Sequence, residues 1–473
     1  MSLEDKIGAL PDDILLTILS LLTFKEAVAT SILSQRWRYL WTCLPSLNFR
    51  YEEVAPHNDD EGNKKRCHRP ILGVHIDRYI QMLQEFGIHF PLLGSSKGDI
   101  DLWVAFAIAI GSYSLPLDLF DKTKGLEPYL VQLDCVFSIP TSSLNVQNRF
   151  KSLRELRLKF GDVTDEQFDT NLSSCISLEC LHLLESSRLV NVKHCLPHMK
   201  LNYLEIYNCS DLENIEIFAP NLVSFKYRGP RIYIFVKDAK QLVNVVCTCL
   251  NFGVDEYPAK NTLGLPYTQG KHFVFGQFGD YLSQLEYLIM DVGSFEGIRG
   301  SNKVPLLCNL KHPTLSCLNA SRGPFGMLRC YQLVASLAKA SPFLHRLKLH
   351  TYLYPTLAYM IWFLQFSLYS TENSPHKYLK EVLVSGFSGN KLSTDFVMSI
   401  FDFVIELEKI EITSVYLGDV ANSLVKQGKA DVVRKSIGLL HQRLPAKAQL
   451  YFLDDQFFIK SGSYVDTCLS RAF

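Results

Sequence analysis

From Leu10 to Trp41 the chain reads LPDDILLTILSLLTFKEAVATSILSQRWRYLW. Ile14, Leu15, Ile18, Leu19 and Leu22 recur at helical spacing and share one face. Pro11 suits the first turn of that helix, and Asp12 and Asp13 suit its positive end. Thr23 and Glu26 form a T-x-x-E pair, which restarts a helix after a sharp break; Ala27, Val28 and Ile32 are its apolar positions. Ser34 is placed to cap a third helix, on which Trp37 and Trp41 lie one turn apart. Three short helices offer little interior, because below about 40 residues a chain rarely stabilises a core unaided. On periodicity alone, their apolar faces are covered either by the rest of this chain or by a partner.

Farther along, the pattern changes to a short recurring unit. Leu153-Arg-Glu-Leu156-Arg-Leu158 returns as Leu178-Glu-Cys-Leu181-His-Leu183, Leu201-Asn-Tyr-Leu204-Glu-Ile206 and Leu222-Val-Ser-Phe225-Lys-Tyr227. It returns again at Leu285–Met290, Leu344–Leu349, Leu379–Val384 and Leu407–Ile412. The form L-x-x-L-x-L is the strand pattern of a leucine-rich repeat, and the first four starts lie 25, 23 and 21 residues apart. Leu212-Glu-Asn-Ile215-Glu-Ile217 begins only 11 residues after Leu201, too close for a full turn. Strand alternation turns the fourth and sixth positions inward and the fifth outward. The outward set is Arg157, His182, Glu205, Lys226, Ile289, Lys348, Leu383 and Glu411. Its mixed charge suits a protein surface or a small ligand rather than a phosphate track. Arg157, His182, Glu205, Lys226 and Lys348 are the candidate target contacts. Upstream, His75–Phe86 and Asp99–Ile110 read as helices, and Leu115–Phe120 and Tyr129–Phe137 as strands. The expected fold is α/β: a small three-helix module, then a solenoid with a concave parallel sheet and helices on its convex side.

Composition narrows the function classes. The 473 residues are too many for one compact core. Lys plus Arg and Asp plus Glu each number 48, so no global grip on nucleic acid or an anionic membrane is indicated. Thirteen scattered cysteines without a C-x-x-C, behind an acidic start, MSLEDKIGALPDD, point to reduced thiols in the cytoplasm or nucleus. The run near Leu353–Ser370 contains Pro355, Thr356 and Gln365 and reads as a buried helix, not a span. The mixed-charge stretch Tyr51–Pro70 reads as a loop or linker, and its KKRCHR as a solvated charge run.

Little in the chain suggests bond chemistry. Gly94-Ser95-Ser96-Lys97-Gly98 satisfies G-x-S-x-G, but Pro91 spoils an entering strand and no acid or His partner is identified. Cys175/Cys180, Cys247/Cys249 and His194-Cys195-x-x-His198 lack a second matching pair for tetrahedral zinc. No phosphate-cradling glycine loop occurs. No cofactor and no metal are expected.

Leu10–Trp41 resembles a plant-type F-box. Leu10, Pro11, Ile14, Leu15, Ile18, Leu19, Ser20 and Leu22 match its first half. Val28, Thr30, Ser31, Leu33, Ser34, Arg36, Trp37, Leu40 and Trp41 match its second, and LPSLNF at Leu44–Phe49 continues it. His376–Ile412 is similar to the FBD-type region that closes many plant F-box/leucine-rich-repeat proteins. The resemblance implies residues 1–50 as F-box, 51–70 as linker, 71–375 as solenoid and 376–473 as FBD-like cap. It implies a non-catalytic substrate-recognition subunit of a cullin-based ubiquitin ligase. Leu10, Pro11, Ile14, Leu15, Ile18, Leu19, Val28, Leu33, Trp37 and Trp41 would bind a Skp-type adaptor, and the repeats an unknown target protein. The other reading is a repeat scaffold with no ligase assembly.

Overall fold

The computed structural model describes residues 7, 10–50, 85–89, 112, 114–118, 153–159, 164–173, 175–186, 188–194, 200–230, 232–249, 278–291, 306–316, 336–350, 376–414 and 423–454. The chain divides into two compact units, Met1–Gln241 and Leu242–Phe473. That division falls inside the stretch expected as one solenoid.

The first unit opens with helices α1 (Asp12–Ser20) and α2 (Phe24–Ala29), followed by 3-10 turns at Thr30–Ile32 and Trp37–Cys43. Pro11 is the N-cap of α1 rather than its first helical residue. Thr23 and Glu26 make the full capping box: the Thr23 hydroxyl accepts from the Glu26 N–H, and a Glu26 carboxylate oxygen accepts from the Thr23 N–H at 2.9 Å. The expected third helix is instead the 3-10 segment, with Ser34 Oγ accepting from the Trp37 N–H at 3.4 Å.

Seven parallel strands follow in sheet order: β1 (Ser46–Arg50), β2 (Glu85–His89), β3 (Ser114–Asp118), β4 (Glu155–Lys159), β5 (Cys180–Leu184), β7 (Tyr203–Tyr207) and β9 (Ser224–Gly229). β2 overlaps the end of the expected His75–Phe86 helix, so Glu85 and Phe86 are strand; the rest of that segment, and the candidates at Asp99–Ile110, Tyr129–Phe137 and Gly94–Gly98, lie outside the described residues.

The convex side departs from expectation. Helix α3 (Asp165–Ser173) connects β4 to β5, but later coils return through strands β6 (Asn191–His194), β8 (Asn214–Phe218) and β10 (Tyr233–Lys237), a second parallel sheet ordered β10-β8-β6. This accounts for the close spacing of Leu212 after Leu201: Ile215 and Ile217 lie on the convex strand of the same coil, and both are buried. A 21-residue coil has room for two strands and two turns, whereas a helix needs more chain for the same circuit. Glu185 and Asn208 stand at the same corner of successive coils, both in the left-handed region (φ 56° and 52°). The start of the convex sheet is held by Asp165, whose carboxylate accepts from the Val190 N–H, the Asn191 N–H and Asn191 Nδ2 at 2.8–3.0 Å. Asn214 Nδ2 then donates to Asn191 Oδ1 at 2.9 Å.

The second unit carries seven parallel strands in chain order: β11 (Asn244–Cys249), β12 (Tyr287–Asp291), β13 (His312–Ser316), β14 (Arg346–His350), β15 (Glu381–Ser385), β16 (Lys409–Ser414) and β17 (Gln449–Asp454). Two coils went unread in the sequence, starting at Leu242 and Leu310, because Val245, Cys247 and Pro313 replace the usual leucines. Helices α4 (Lys391–Phe403) and α5 (Ser423–Arg443) follow β15 and β16. Between β15 and α4, Gly389 has φ +70°, and an added Cβ there would stand 2.6 Å from Val433 Cα on α5. Any side chain would therefore be strained and would push the helix away. In both units the inward positions form the core: the first, fourth and sixth residues of all eight repeats read in the sequence are buried.

The two-sheet coils make a prediction. Ile215→Ala should cost about 2–5 kcal/mol by urea denaturation, and its outward neighbour Glu216→Ala less than about 0.5 kcal/mol. Ile217→Ala should cost as much as Ile215→Ala, because residues two apart share a face in a strand and not in a helix.

Candidate functional site

The N-terminal module has a core of its own. Leu15, Leu19, Ala27, Trp37, Leu40 and Leu44 are buried together, with Leu10, Leu16 and Trp41 packed against them. Arg36 fastens the entry to α1: Nε donates to Asp12 Oδ1 at 3.0 Å, and Nη2 donates to the Leu10 carbonyl and to Asp12 Oδ1, both at 2.5 Å. The helical face read from the sequence splits into two stripes about 100° apart. Leu15 and Leu19 point inward, while Ile14 and Ile18 point out. Leu22 continues the outer stripe, and Leu21 (83% exposed), Ile32 (86%) and Leu33 add to it. The module therefore covers one apolar face and leaves another in solvent.

The outward sheet face of the first unit is polar and internally bonded. His182, nearly buried on β5, donates from Nδ1 to Glu205 Oε2 at 2.7 Å, and its Nε2 lies 3.7 Å from Glu155 Oε1. Tyr203 Oη donates to the same Glu205 oxygen at 3.0 Å. Lys226 Nζ sits 5.1 Å from the Tyr203 ring centre, and Arg157 is 3.6 Å from Glu155. Burial works against the Glu205 charge, but the His182 and Tyr203 hydrogen bonds outweigh it and hold its carboxyl below the usual range. Burial, with the Glu205 charge, pushes the Tyr203 phenol up; burial also draws Lys226 down against the pull of Glu205.

In the second unit the outward face is less exposed than strand alternation predicts. Val246 and Ile289, paired across β11 and β12, are both buried, with Tyr287 packed on them. Thr314, Ile289's partner on β13, is buried too. On β14, His350 is 7% exposed and its Nδ1 is hydrogen-bonded to Ser385 Oγ. Burial, and after it the Lys348 charge, brings His350 down to about 4. Lys348 is itself lowered, by burial and then by Arg346, with Glu411 opposing.

A family model described as an F-box domain matches residues 7–48, the module with the divided apolar face. A second, described as the At1g61320/AtMIF1 LRR domain, matches residues 99–264. The chain carries an F-box and leucine-rich repeats. Among similar proteins of Arabidopsis thaliana, F-box/LRR-repeat protein At3g26922 is 29% identical over 238 residues, 47% of this chain and 74% of that one. Putative F-box/FBD/LRR-repeat protein At4g13965 is 28% identical over 253 residues, 50% of this chain and 57% of that one. F-box/FBD/LRR-repeat protein At3g26920 is 32% identical over 210 residues, 41% of this chain and 44% of that one. The chain thus spans roughly half the length of the latter two.

The F-box residues singled out in the sequence separate by position. Ile14, Ile18 and Leu33 are exposed, and Pro11 stands exposed at the head of α1. Leu15, Leu19 and Trp37 were expected on the docking face but are interior, as are Leu10 and Trp41 in part, because a helix in so small a module has to spend one stripe on the module's own core. Val28 is half-buried. Leu21 and Ile32 complete the exposed ridge: Ile32 was read only as an apolar helix position, and Leu21 was not singled out although the doublet Leu21-Leu22 is too wide for one inward stripe. Of the outward repeat positions, His182 and Ile289 proved buried. Cys175 and Cys209 are buried and pushed up to about 12, which makes them poor nucleophiles and poor ligands. Among the described residues no helix is long and apolar enough to cross a membrane; the Leu353–Ser370 run lies outside them.

The lowered His350 carries a pH signature. Below pH 6.5 the unfolded chain takes up a proton that the folded imidazole refuses until about pH 4. This contribution is therefore complete above pH 6.5 and declines as pH falls toward 4. In His350→Leu, the loss of unfolding free energy between those limits should shrink by about 3 kcal/mol, as urea titrations at fixed pH would measure.

Proposed function

We propose that this protein is the substrate-recognition subunit of a cullin-based ubiquitin ligase, with the F-box ridge docking on a Skp-type adaptor and the repeat faces holding a target protein. One observation carries the reading: the F-box has a closed core and still leaves Ile14, Ile18, Leu21, Leu22, Ile32 and Leu33 in water. If the module were only a cap folded against the repeats, those side chains would face the repeats. Covering six such groups is worth on the order of 10 kcal/mol gross. Association costs roughly 4–15 kcal/mol, so shape and the buried scaffold beneath the ridge decide the affinity. Leu15, Leu19 and Trp37 act in this account by fixing where α1 and the Thr30–Leu33 turn stand, not by touching the adaptor.

The repeat faces supply the other half. The Glu155–Arg157–His182–Tyr203–Glu205–Lys226 patch pairs most of its charges internally, so a target segment meets a rigid polar surface rather than a free field. Lys226 and Lys348 are the cations most disposed to gain from an acidic partner group, because burial has already removed part of their hydration. The chain contributes proximity and orientation, and the bond-making belongs to other subunits.

Adaptor binding separates ridge from scaffold. Leu21→Asp/Ile32→Asp should abolish capture of a purified Skp-type adaptor while leaving the urea midpoint within error of wild type. Leu19→Ala should cost about 2–5 kcal/mol of stability. A wild-type chain that is folded but takes up no adaptor sinks the ligase reading and favours the scaffold.

A further inference from the structure

In each unit the turns that lead into the strands form a rim, and the chemistry of that position changes along the chain. The residue just before the first inward leucine is polar in five successive coils: Lys200, Asn221, Gln241, Gln284 and Asn309. In the next two it is aromatic, Phe343 before β14 and Tyr378 before β15. Phe343 is 54% exposed and Tyr378 48%, and their rings pair with centres 5.8 Å apart. The bridge between His376 and Val404 sets Ile405, 52% exposed, in register with Lys377, next to Tyr378. Single exposed apolar residues are ordinary, but adjoining ones on three successive coils make a patch.

Both aromatics stand on turns fixed by a histidine. His345 Nδ1 donates to the Phe343 carbonyl at 2.7 Å. The buried His376 accepts at Nδ1 from the Tyr378 and Leu379 N–H groups, at 3.3 and 2.9 Å, and donates from Nε2 to the Ser341 carbonyl at 3.0 Å. That last bond ties the Tyr378 turn to the turn that carries Phe343. Rings held on such backbone need little further ordering, which lowers the cost of binding. The charges around them are uneven. Glu381, Asp402, Glu406 and Glu408 each lie 2.7–3.8 Å from a cation, respectively Arg346, Arg443, Lys447 and Lys380. Lys339 and Lys377 are exposed and, among the described residues, have no carboxylate within ion-pair distance.

We propose that the rim entering β14–β16 is a docking surface for an extended acidic segment of a partner protein, one that sets an aliphatic or aromatic side chain among aspartates or glutamates. The apolar side chain covers Phe343, Tyr378 and Ile405, and the flanking carboxylates meet Lys377 and Lys339. At about 4.8 Å per strand, Phe343 to Ile405 spans roughly 10 Å, the reach of about three extended residues. A basic segment would meet two unanswered cations and find the neighbouring carboxylates taken. An anionic membrane would press its phosphates against those same carboxylates. This rim is a different surface from the outward strand faces. It stands on the second unit alone and holds whether or not the chain joins a ligase.

Selection from a displayed library of random peptides tests this. Binders are taken on the full chain and depleted on the full-chain Phe343→Ser/Tyr378→Ser variant, which keeps the F-box ridge and the strand faces. Peptides that survive depletion should carry an apolar residue flanked by Asp or Glu. A synthetic copy should bind the wild type one to one, and the double variant at least about tenfold more weakly, ~1.4 kcal/mol. Lys377→Glu should weaken it by about threefold, the scale of one exposed charge pair, and keeps the test open if the double variant fails to fold. No surviving peptide, survivors without acidic residues, or binding undiminished in Lys377→Glu would overturn the proposal. So would sedimentation with phosphatidylserine vesicles that depends on Phe343 and Tyr378.

Discussion

Everything in this molecule rests on the burial of three positions in each L-x-x-L-x-L coil. A single coil cannot bury its own leucines; its neighbours do, above and below. Leu153, Leu156 and Leu158 need Leu178, Leu181 and Leu183 beside them, and the parallel register follows from that stacking. Once the inward positions are committed, the residues between them are forced outward, and those are the residues left for recognition. The same constraint sets the convex side: where coils are about 21 residues long a second strand closes the circuit, and Ile215, Ile217, Ile234 and Val236 supply its inner face.

The F-box solves the opposite problem. It is too small to bury all of its apolar residues, and it does not try. Adjacent stripes of α1 serve two ends: Leu15 and Leu19 close a core with Trp37, Leu40 and Leu44, and Ile14 and Ile18 stay outside. The Arg36–Asp12 pair and the Thr23–Glu26 capping box hold the three short elements at fixed angles, so the outer ridge is a defined surface rather than a loose one.

How much of this was legible beforehand differs by element. The repeat strands were, because leucine at three fixed offsets has no other economical explanation, and the eight repeats read there all lie in the core. The coils at Leu242 and Leu310 were not, since valine, cysteine and proline at the inward offsets break the letter pattern while keeping the burial. The convex strands were half visible: Leu212–Ile217 stood out as too close to Leu201 for a full turn, but repeats of this kind were expected to return through helices. In the F-box, helical periodicity located the apolar arc and could not say which stripe faced inward, because that depends on where Trp37 and Leu40 arrive from a later turn. The buried state of His350 was invisible for the same reason; outwardness follows from alternation, whereas shielding depends on tertiary packing.

Backbone hydrogen exchange on the full chain, with and without a purified Skp-type adaptor, tests the central claim most directly. The account predicts that adding the adaptor slows exchange in Asp12–Leu22 and Thr30–Leu33 and leaves β4, β5 and β7 as they were. Protection confined to those repeat strands, or no change anywhere in the presence of saturating adaptor, would contradict it.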